Sequence, residues 1–177
     1  MIISVEQAKA EIVEFENWSD SRVERKLKAI EQAIRSYTHN NFQKRHFRCT
    51  ADIVGGAFQT KDVILFRSGD TVQISESALN EGLYVVDDAD NLTFSVMEDV
   101  NDEEDVVVTK VDYPDDVVDC AFNLLKWEIE HRDKIGIQSE TLSRHSVTYF
   151  NMDGDNSIMG YPKSLMGVLK PYMKARF

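Results

Sequence analysis

The hydrophobic period changes twice along this chain, and that change constrains the fold more than any other feature. Apolar residues recur at helical spacing up to about residue 45, at strand spacing from about 46 to 113, and at helical spacing again to the end. In the first stretch Ser4 and Gln7 have the spacing of a capping box, followed by Val5, Ala8, Ile12 and Phe15 on one face. Asn17–Ser19 interrupts the pattern, and Ser19 or Asp20 is placed to cap a second helix. There Val23, Leu27, Ile30, Ile34 and Tyr37 form a single stripe, opposite Arg22, Arg25, Lys26, Lys28 and Glu31. Asn40 and Asn41 are its terminators.

The middle stretch alternates. Phe47, Cys49, Ala51 and Ile53 take turns with Arg48, Thr50 and Asp52. Val72 and Ile74 take turns with Thr71, Gln73 and Ser75, and Leu92, Phe94 and Val96 with Thr93 and Ser95. Val63–Phe66, Leu83–Val86 and Val106–Val111 are further candidate strands. Turn residues separate them, at Gly55-Gly56, Ser68-Gly69-Asp70, Asn80-Glu81-Gly82, Asp90-Asn91 and Asn101–Asp105. About six short strands at this spacing predict a small barrel or sandwich. The run from Gly69 to Ile74, followed by Gly82-Leu83-Tyr84-Val85, has the look of an SH3-like barrel of the kind found in some ribosome-associated modules.

The last stretch opens with Pro114, Asp115 and Asp116, residues that suit a helix N-terminus. Val117, Val118, Ala121, Leu124, Leu125 and Ile129 then make a broad apolar face to about Arg132, with Gly136 as the stop. Residues 137–160 show little periodicity. A final helix is predicted from Pro162, with Leu165, Met166, Leu169, Tyr172 and Met173 on its apolar side and Pro171 kinking or ending it. The predicted fold class is therefore α+β: mainly a helical bundle of about four helices, residues 1–45 and 114–177, into which an SH3-like antiparallel β barrel or sandwich, residues 46–113, is inserted.

Charge divides the chain in the same way. There are 20 Lys and Arg against 31 Asp and Glu, a formal net charge of −11. Residues 47–113 hold four cations (Arg48, Lys61, Arg67, Lys110) and fifteen carboxylates, so the whole imbalance sits on the insertion. Such a surface does not grip nucleic-acid phosphates over its whole extent. The start lacks a basic segment followed by an apolar run, and no apolar stretch reaches about 18 residues, so neither a signal peptide nor a membrane span is expected. Two cysteines far apart make no disulfide framework, and a reducing cytoplasm is the default compartment.

Searches for chemistry mostly fail. There is no Gly-rich phosphate loop, zincin His pair or serine-nucleophile elbow. His39, His46, His131 and His145 do not share a helix at metal-binding spacing. Cys49 and Cys120 have core phases and read as small buried hydrophobes. Asn151, Asp153 and Asp155 have calcium-loop spacing, but Asn156 replaces the turn Gly and Pro162 the bidentate Glu, which leaves a polar loop. Glu98–Asp105 reads as a solvated hairpin tip rather than a cation site. No catalytic residue, metal or cofactor is expected.

The ends of the chain carry a resemblance. Ile137-Gln138-Ser139-Glu140-Thr141-Leu142-Ser143, then Ser146-Val147-Thr148-Tyr149, Gly160-Tyr161-Pro162 and Leu169-Lys170-Pro171-Tyr172 with the basic residues that follow are similar to the C-terminal half of tailed-phage, siphovirus-type head–tail connector proteins, the head-completion adaptors beneath the portal. The family pattern there resembles Ser-Glu-Ser-Leu-Gly-Asp-Tyr-Ser-Val-Thr-Tyr and later Leu-x-Pro-Tyr; Ser143 and Arg144-His145 depart from it. Ala29–Thr38 resembles the family's second helix, which commonly ends in Tyr-Thr, and a β insertion after it resembles a variant of Gram-positive phages.

The resemblance implies a virion protein at the head–tail junction, present in the host cytoplasm during assembly. It would be a ring, usually of twelve copies, that sits between the portal protein and the next connector, stopper or tail protein. It would extend the DNA channel without specific DNA binding, catalysis or membrane contact. Tyr161, Leu165, Leu169, Tyr172, Met173 and Arg176 are the candidate portal interface, since they combine apolar anchors with a basic end; packing within the bundle is the competing reading. Ser139, Glu140, Leu142, Val147 and Tyr149 belong to a candidate assembly loop. The alternatives are an acidic protein-binding module, acting as a host-factor inhibitor or nucleic-acid mimic, and a stopper or tail-terminator ring.

Overall fold

The computed structural model describes residues 1–131, 139–142, 145–148 and 155–175. The chain divides into two compact units. One comprises Met1 with residues 41–113, the other residues 2–40 and 114–177. The first unit is all β. Its strands are β1 (Gln43–Val54), β2 (Ala57–Thr60), β3 (Thr71–Ser75), β4 (Gly82–Ala89), β5 (Thr93–Val96) and β6 (Glu103–Val111). They close into a barrel in the order β1-β2-β5-β4-β3-β6, with neighbours antiparallel throughout.

The alternation seen in the sequence fills this barrel. Ala51 and Ile53 on β1, Val72 and Ile74 on β3, Val86 on β4 and Phe94 on β5 are all buried. Phe58 lies at the centre, stacked on Phe94 with ring centroids 4.4 Å apart, and Phe66 meets Phe94 edge-on at 5.2 Å. The β1–β2 turn needs two consecutive residues at positive φ, which Gly55 (+60°) and Gly56 (+83°) supply without strain.

One predicted strand is corrected. Val63–Phe66 alternates, with Ile64 and Phe66 buried and Val63 and Leu65 exposed, yet it joins no ladder. Ala57–Thr60, which follows the Gly-Gly turn too closely to show a period, takes its place beside β1. The segment after it crosses the end of the barrel towards β3, and Ile64 N–H donates to the Asn91 carbonyl at 2.9 Å. Because β1 starts at Gln43, the β unit begins nearer residue 41 than the expected 46.

The second unit holds α1 (Val5–Glu11), α2 (Asp20–Thr38), α3 (Asp115–His131) and α4 (Lys163–Met166). The capping box at Ser4 forms in both directions, the Gln7 N–H donating to Ser4 Oγ at 3.1 Å and the Ser4 N–H to Gln7 Oε1 at 3.0 Å. The α2 stripe Val23, Leu27, Ile30 and Ile34 is fully buried, as are Ala121 and Leu124 of α3, and the two helices pack together. Helix α2 ends at His39 in a left-handed conformation (φ 49°). Short strands β7 (Ser139–Leu142) and β8 (His145–Thr148) pair with each other, and β9 (Ser157–Ile158) pairs with β10 (Tyr161–Pro162).

The expected mainly helical bundle with a small SH3-like insertion is corrected too. The barrel is a unit in its own right with its own core, and among the described residues only α2 and α3 are long helices; α1 has 7 residues and α4 has 4. The predicted long helix from Pro162 is one α-helical turn followed by a 3₁₀ stretch, Gly167–Tyr172. Pro171 has no N–H for an α-helical hydrogen bond and Gly167 contributes little helix propensity, so the chain takes the tighter winding. Among the described residues, no helix is long and apolar enough to cross a membrane.

Candidate functional site

The residues singled out near the C-terminal end split into two groups. Tyr161, Leu169 and Met166 are buried in the helical unit. The Tyr161 ring meets Trp127 edge-on at 5.6 Å, and its hydroxyl donates to Glu128 Oε2 at 2.9 Å. Glu128 also receives Lys26, which makes a half-covered Lys26–Glu128–Tyr161 network across α2, α3 and β10. Tyr161 and Leu169 thus act as packing anchors within the unit. Leu165 is half-buried, and its carbonyl lies 3.5 Å from Cys120 Sγ.

Tyr172 is also half-buried. Its hydroxyl donates to Asp116 at 2.7 Å, and that carboxylate holds the Tyr172 ionisation above its ordinary value. The Tyr172 carbonyl accepts from Asn40 Nδ2 at 3.1 Å, and the Lys174 N–H donates to the Thr38 carbonyl at 2.8 Å. Met173 (46% exposed) and Val168 (42%) are the large apolar side chains this element presents outward. Sequence reasoning missed Val168 because it lies off the stripe that contains the half-buried Leu165 and the buried Met166 and Leu169. Arg176 and Tyr149 lie outside the described residues, as do Gly136, Asn151 and Asp153. Ser139, Glu140, Leu142 and Val147 fall on the β7–β8 hairpin.

The barrel has two chemically distinct ends. Strand order and direction put the β1–β2, β3–β4 and β5–β6 connections together at one end. The β2–β3 segment, the β4–β5 turn and the outer ends of β1 and β6 gather at the other. Contacts agree: Gly55 N–H donates to Asp102 Oδ1 at 2.7 Å, and Asn101 N–H to Asn80 Oδ1 at 2.8 Å. At the first end lie Asp52, Glu76, Glu81, Glu98, Asp99, Asp102, Glu103, Glu104 and Asp105, with no Lys or Arg. At the other lie Lys44, Arg45, Arg48, Lys61, Arg67 and Lys110 with an equal number of carboxylates.

Several carboxylates of the acidic end are satisfied by hydrogen-bond donors rather than by cations. Glu103 accepts from the Ala78 N–H at 2.7 Å, from Asn80 Nδ2 at 2.8 Å and from the Ser77 hydroxyl, and these donors, Ser77 first, hold its carboxyl below the usual range. Asp52 accepts from the Asp105 N–H at 2.9 Å and Glu98 from the Val85 N–H at 3.2 Å. The barrel's ion pairs, Lys110–Asp70 at 2.6 Å and Lys44–Asp112 at 3.1 Å, are both at the mixed-charge end.

At that end, between β1, the β2–β3 segment and the β4–β5 turn, runs a groove of about 540 Å³ lined by Phe47, Leu65, Arg67, Asp90 and Lys110 among others. A smaller recess lined by Arg48, Cys49, Asp62 and Val63 adjoins it. It exists because β1 pairs with β2 only from Ala51 onward, so the chain beyond Thr60 splays away from Arg48–Thr50. The sequence signal for it was the outward apolar phase of Val63 and Leu65, which a one-sided strand should not have. Burial, with help from Asp62, pushes the Cys49 thiol up to about 11, and burial with Asp116 does the same to Cys120. No group of three metal-ligating side chains occurs among the described residues. No model of a known protein family matches the chain, and no curated protein matches it.

Proposed function

We propose that this protein is a structural head–tail connector of a tailed phage, a ring component between the portal and the next connector, stopper or tail protein. The observation that carries the reading is the order of the motifs. A Tyr-Thr-terminated helix and then the Ser-Val-Thr-Tyr and Leu-x-Pro-Tyr segments follow one another in an order that resembles the connector family, and the β insertion between them resembles a variant of it. The charge supports it physically. An acidic surface along a DNA channel repels phosphates, so the duplex slides instead of sticking. In this reading the portal meets the element around Met173 and Val168, whose side chains face outward, while Tyr161 and Leu169 hold that element to α2 and α3.

The test is co-sedimentation with the portal encoded beside its gene. The expected result is saturable binding near one copy per portal subunit, weakened at least tenfold by Met173→Glu combined with Val168→Glu, since few positions carry an interface. Removal of the whole segment from Tyr161 would be uninformative, because it takes away buried packing. Absence of portal binding at all salt concentrations would overturn the reading. It would favour the second one, an acidic module for a basic partner, for which the nine carboxylates of the barrel's acidic end are the specific observation.

A further inference from the structure

The seam between β1 and β2 is closed towards the acidic end of the barrel and open towards the other. The two strands pair from Val54↔Ala57 to Ala51↔Thr60 and no further. Val54 and Ala57 close a two-residue turn, so the main-chain N–H and C=O of Val54 and Asp52 point at β2. Those of Thr50 and Arg48 point the same way, beyond the end of β2. Val63–Phe66 runs opposite them. Its Ile64 N–H donates away from β1, to the Asn91 carbonyl at 2.9 Å, so by alternation the main chain of Val63 and Leu65 faces β1. Among the described residues, no main-chain hydrogen bond joins the two sides. A recess of about 80 Å³ lies between them and shares Phe47, Ile64 and Phe66 with the groove of about 540 Å³.

Two facing rows of open donors and acceptors define an occupant more narrowly than an apolar patch does. An extended polypeptide, with N–H and C=O groups on both of its edges, answers both rows at once. The side chains suit the same occupant. Ile64 and Phe66 are buried and Phe47 is half-buried, which makes an apolar floor, while Val63 and Leu65 (67 and 65% exposed) stand outward as a rim. Arg48 does not blunt the edge, because its Nε donates to Thr109 Oγ1 on the β6 side at 2.9 Å. Cations and carboxylates are balanced around the groove, so main-chain geometry rather than charge selects what enters. We propose that this seam takes up an extended segment of a partner protein as an added strand. Alternate apolar residues of the segment point onto Phe47, Ile64 and Phe66, and the residues between them point outward beside Val63 and Leu65. Val63–Phe66 joins no ladder, so admitting a strand breaks no strand pairing. The seam belongs to the β unit, whereas Met173 and Val168 belong to the helical one, so the proposal does not rest on the portal contact.

The probe is a set of short capped peptides in which valine or leucine alternates with threonine, lysine or glutamate, titrated onto the full chain and followed by amide NMR. The expected result is saturable binding with shifts centred on Arg48, Thr50, Val63 and Leu65. Peptides of the same composition in scrambled order should bind at least tenfold more weakly. N-methylation of either alternate set of peptide amides should weaken binding about tenfold or more, since each set faces one side of the seam. Thr50→Pro removes one open donor from the protein and should also cost about tenfold; proline is tolerated there because that N–H bonds to no strand. The N-methylated peptides use the native chain, so the test stands even if this variant fails to fold. Absence of binding, equal binding of scrambled peptides, or shifts confined to other residues would overturn the proposal. So would self-association of the chain without peptide, seen in sedimentation velocity and abolished by Thr50→Pro, because the occupant would then be a second copy. Every measurement is made without portal, so its outcome is independent of the connector reading.

Discussion

The two units of this protein treat their carboxylates differently. In the helical unit acids meet lysines: Lys9 with Asp20 at 2.6 Å, Lys28 with Glu24 at 2.6 Å, Lys126 with Glu11 at 3.7 Å and Lys26 with Glu128. At the acidic end of the barrel they meet main-chain N–H groups and neutral side chains instead. The helical arrangement leaves a surface of balanced charge whose pairs hold elements of the same unit together. At its acidic end the barrel uses carboxylates to build turns, and their charge is not cancelled by a cation there. Counting charges cannot separate the two cases, because an acid bound to an N–H and an acid bound to an ammonium are both satisfied, yet only the second is neutralised.

The comparison breaks most visibly through the cores. Both tryptophans, Trp18 and Trp127, belong to the helical unit, so their fluorescence follows that unit alone. Phe58→Ala removes a fully buried ring stacked on Phe94 and should cost the barrel about 3–5 kcal/mol in urea unfolding followed by circular dichroism. The tryptophan transition should stay in place. A joint shift of equal size would mean that the units unfold as one.

A smaller effect is expected from Lys26→Met, which takes the ammonium away from the Glu128 carboxylate, its side chain 11% exposed and also accepting from the Tyr161 hydroxyl. The loss should be about 2 kcal/mol, below the value for a fully buried pair because Lys26 is itself partly exposed, and it should move the tryptophan transition. No loss would remove the network from the account of how Tyr161 is held.

The smallest effect is expected from Glu103→Gln. The Glu103 carboxyl is held below the ordinary 4.5, so its contribution to folding is fully present above that value. It is lost as pH falls through 4.5 towards the lowered value. The wild-type barrel should therefore become less stable on acidification through this window, and the variant should lack that part of the decline. A variant with an unchanged acid profile would show that Glu103 does not organise residues 77–80.

Much of this was legible in the sequence. The Ser4 capping box, the α2 stripe from Val23 to Ile34 and the inward phases of β1 and β3 are local patterns that form where their spacing puts them, whereas Leu92, expected inward with Phe94, is exposed and Glu31, expected on the outer face of α2, is buried. Val63–Phe66 was misleading, because its alternation is real but a strand needs a neighbour to bond to, and none is in register there. The terminal element was misleading in another way. Leu169 and Tyr161 look like interface anchors because buried anchors and buried core residues have the same composition.

Period and turn chemistry were enough to establish that a β stretch interrupts a helical chain and that it carries all of the net charge, because both follow from residues near one another along the chain. Closure of the barrel, the sorting of its charges to opposite ends and the groove beside β1 came only with the fold. They depend on which strands pair and on where pairing stops, and those are set by contacts between residues dozens of positions apart.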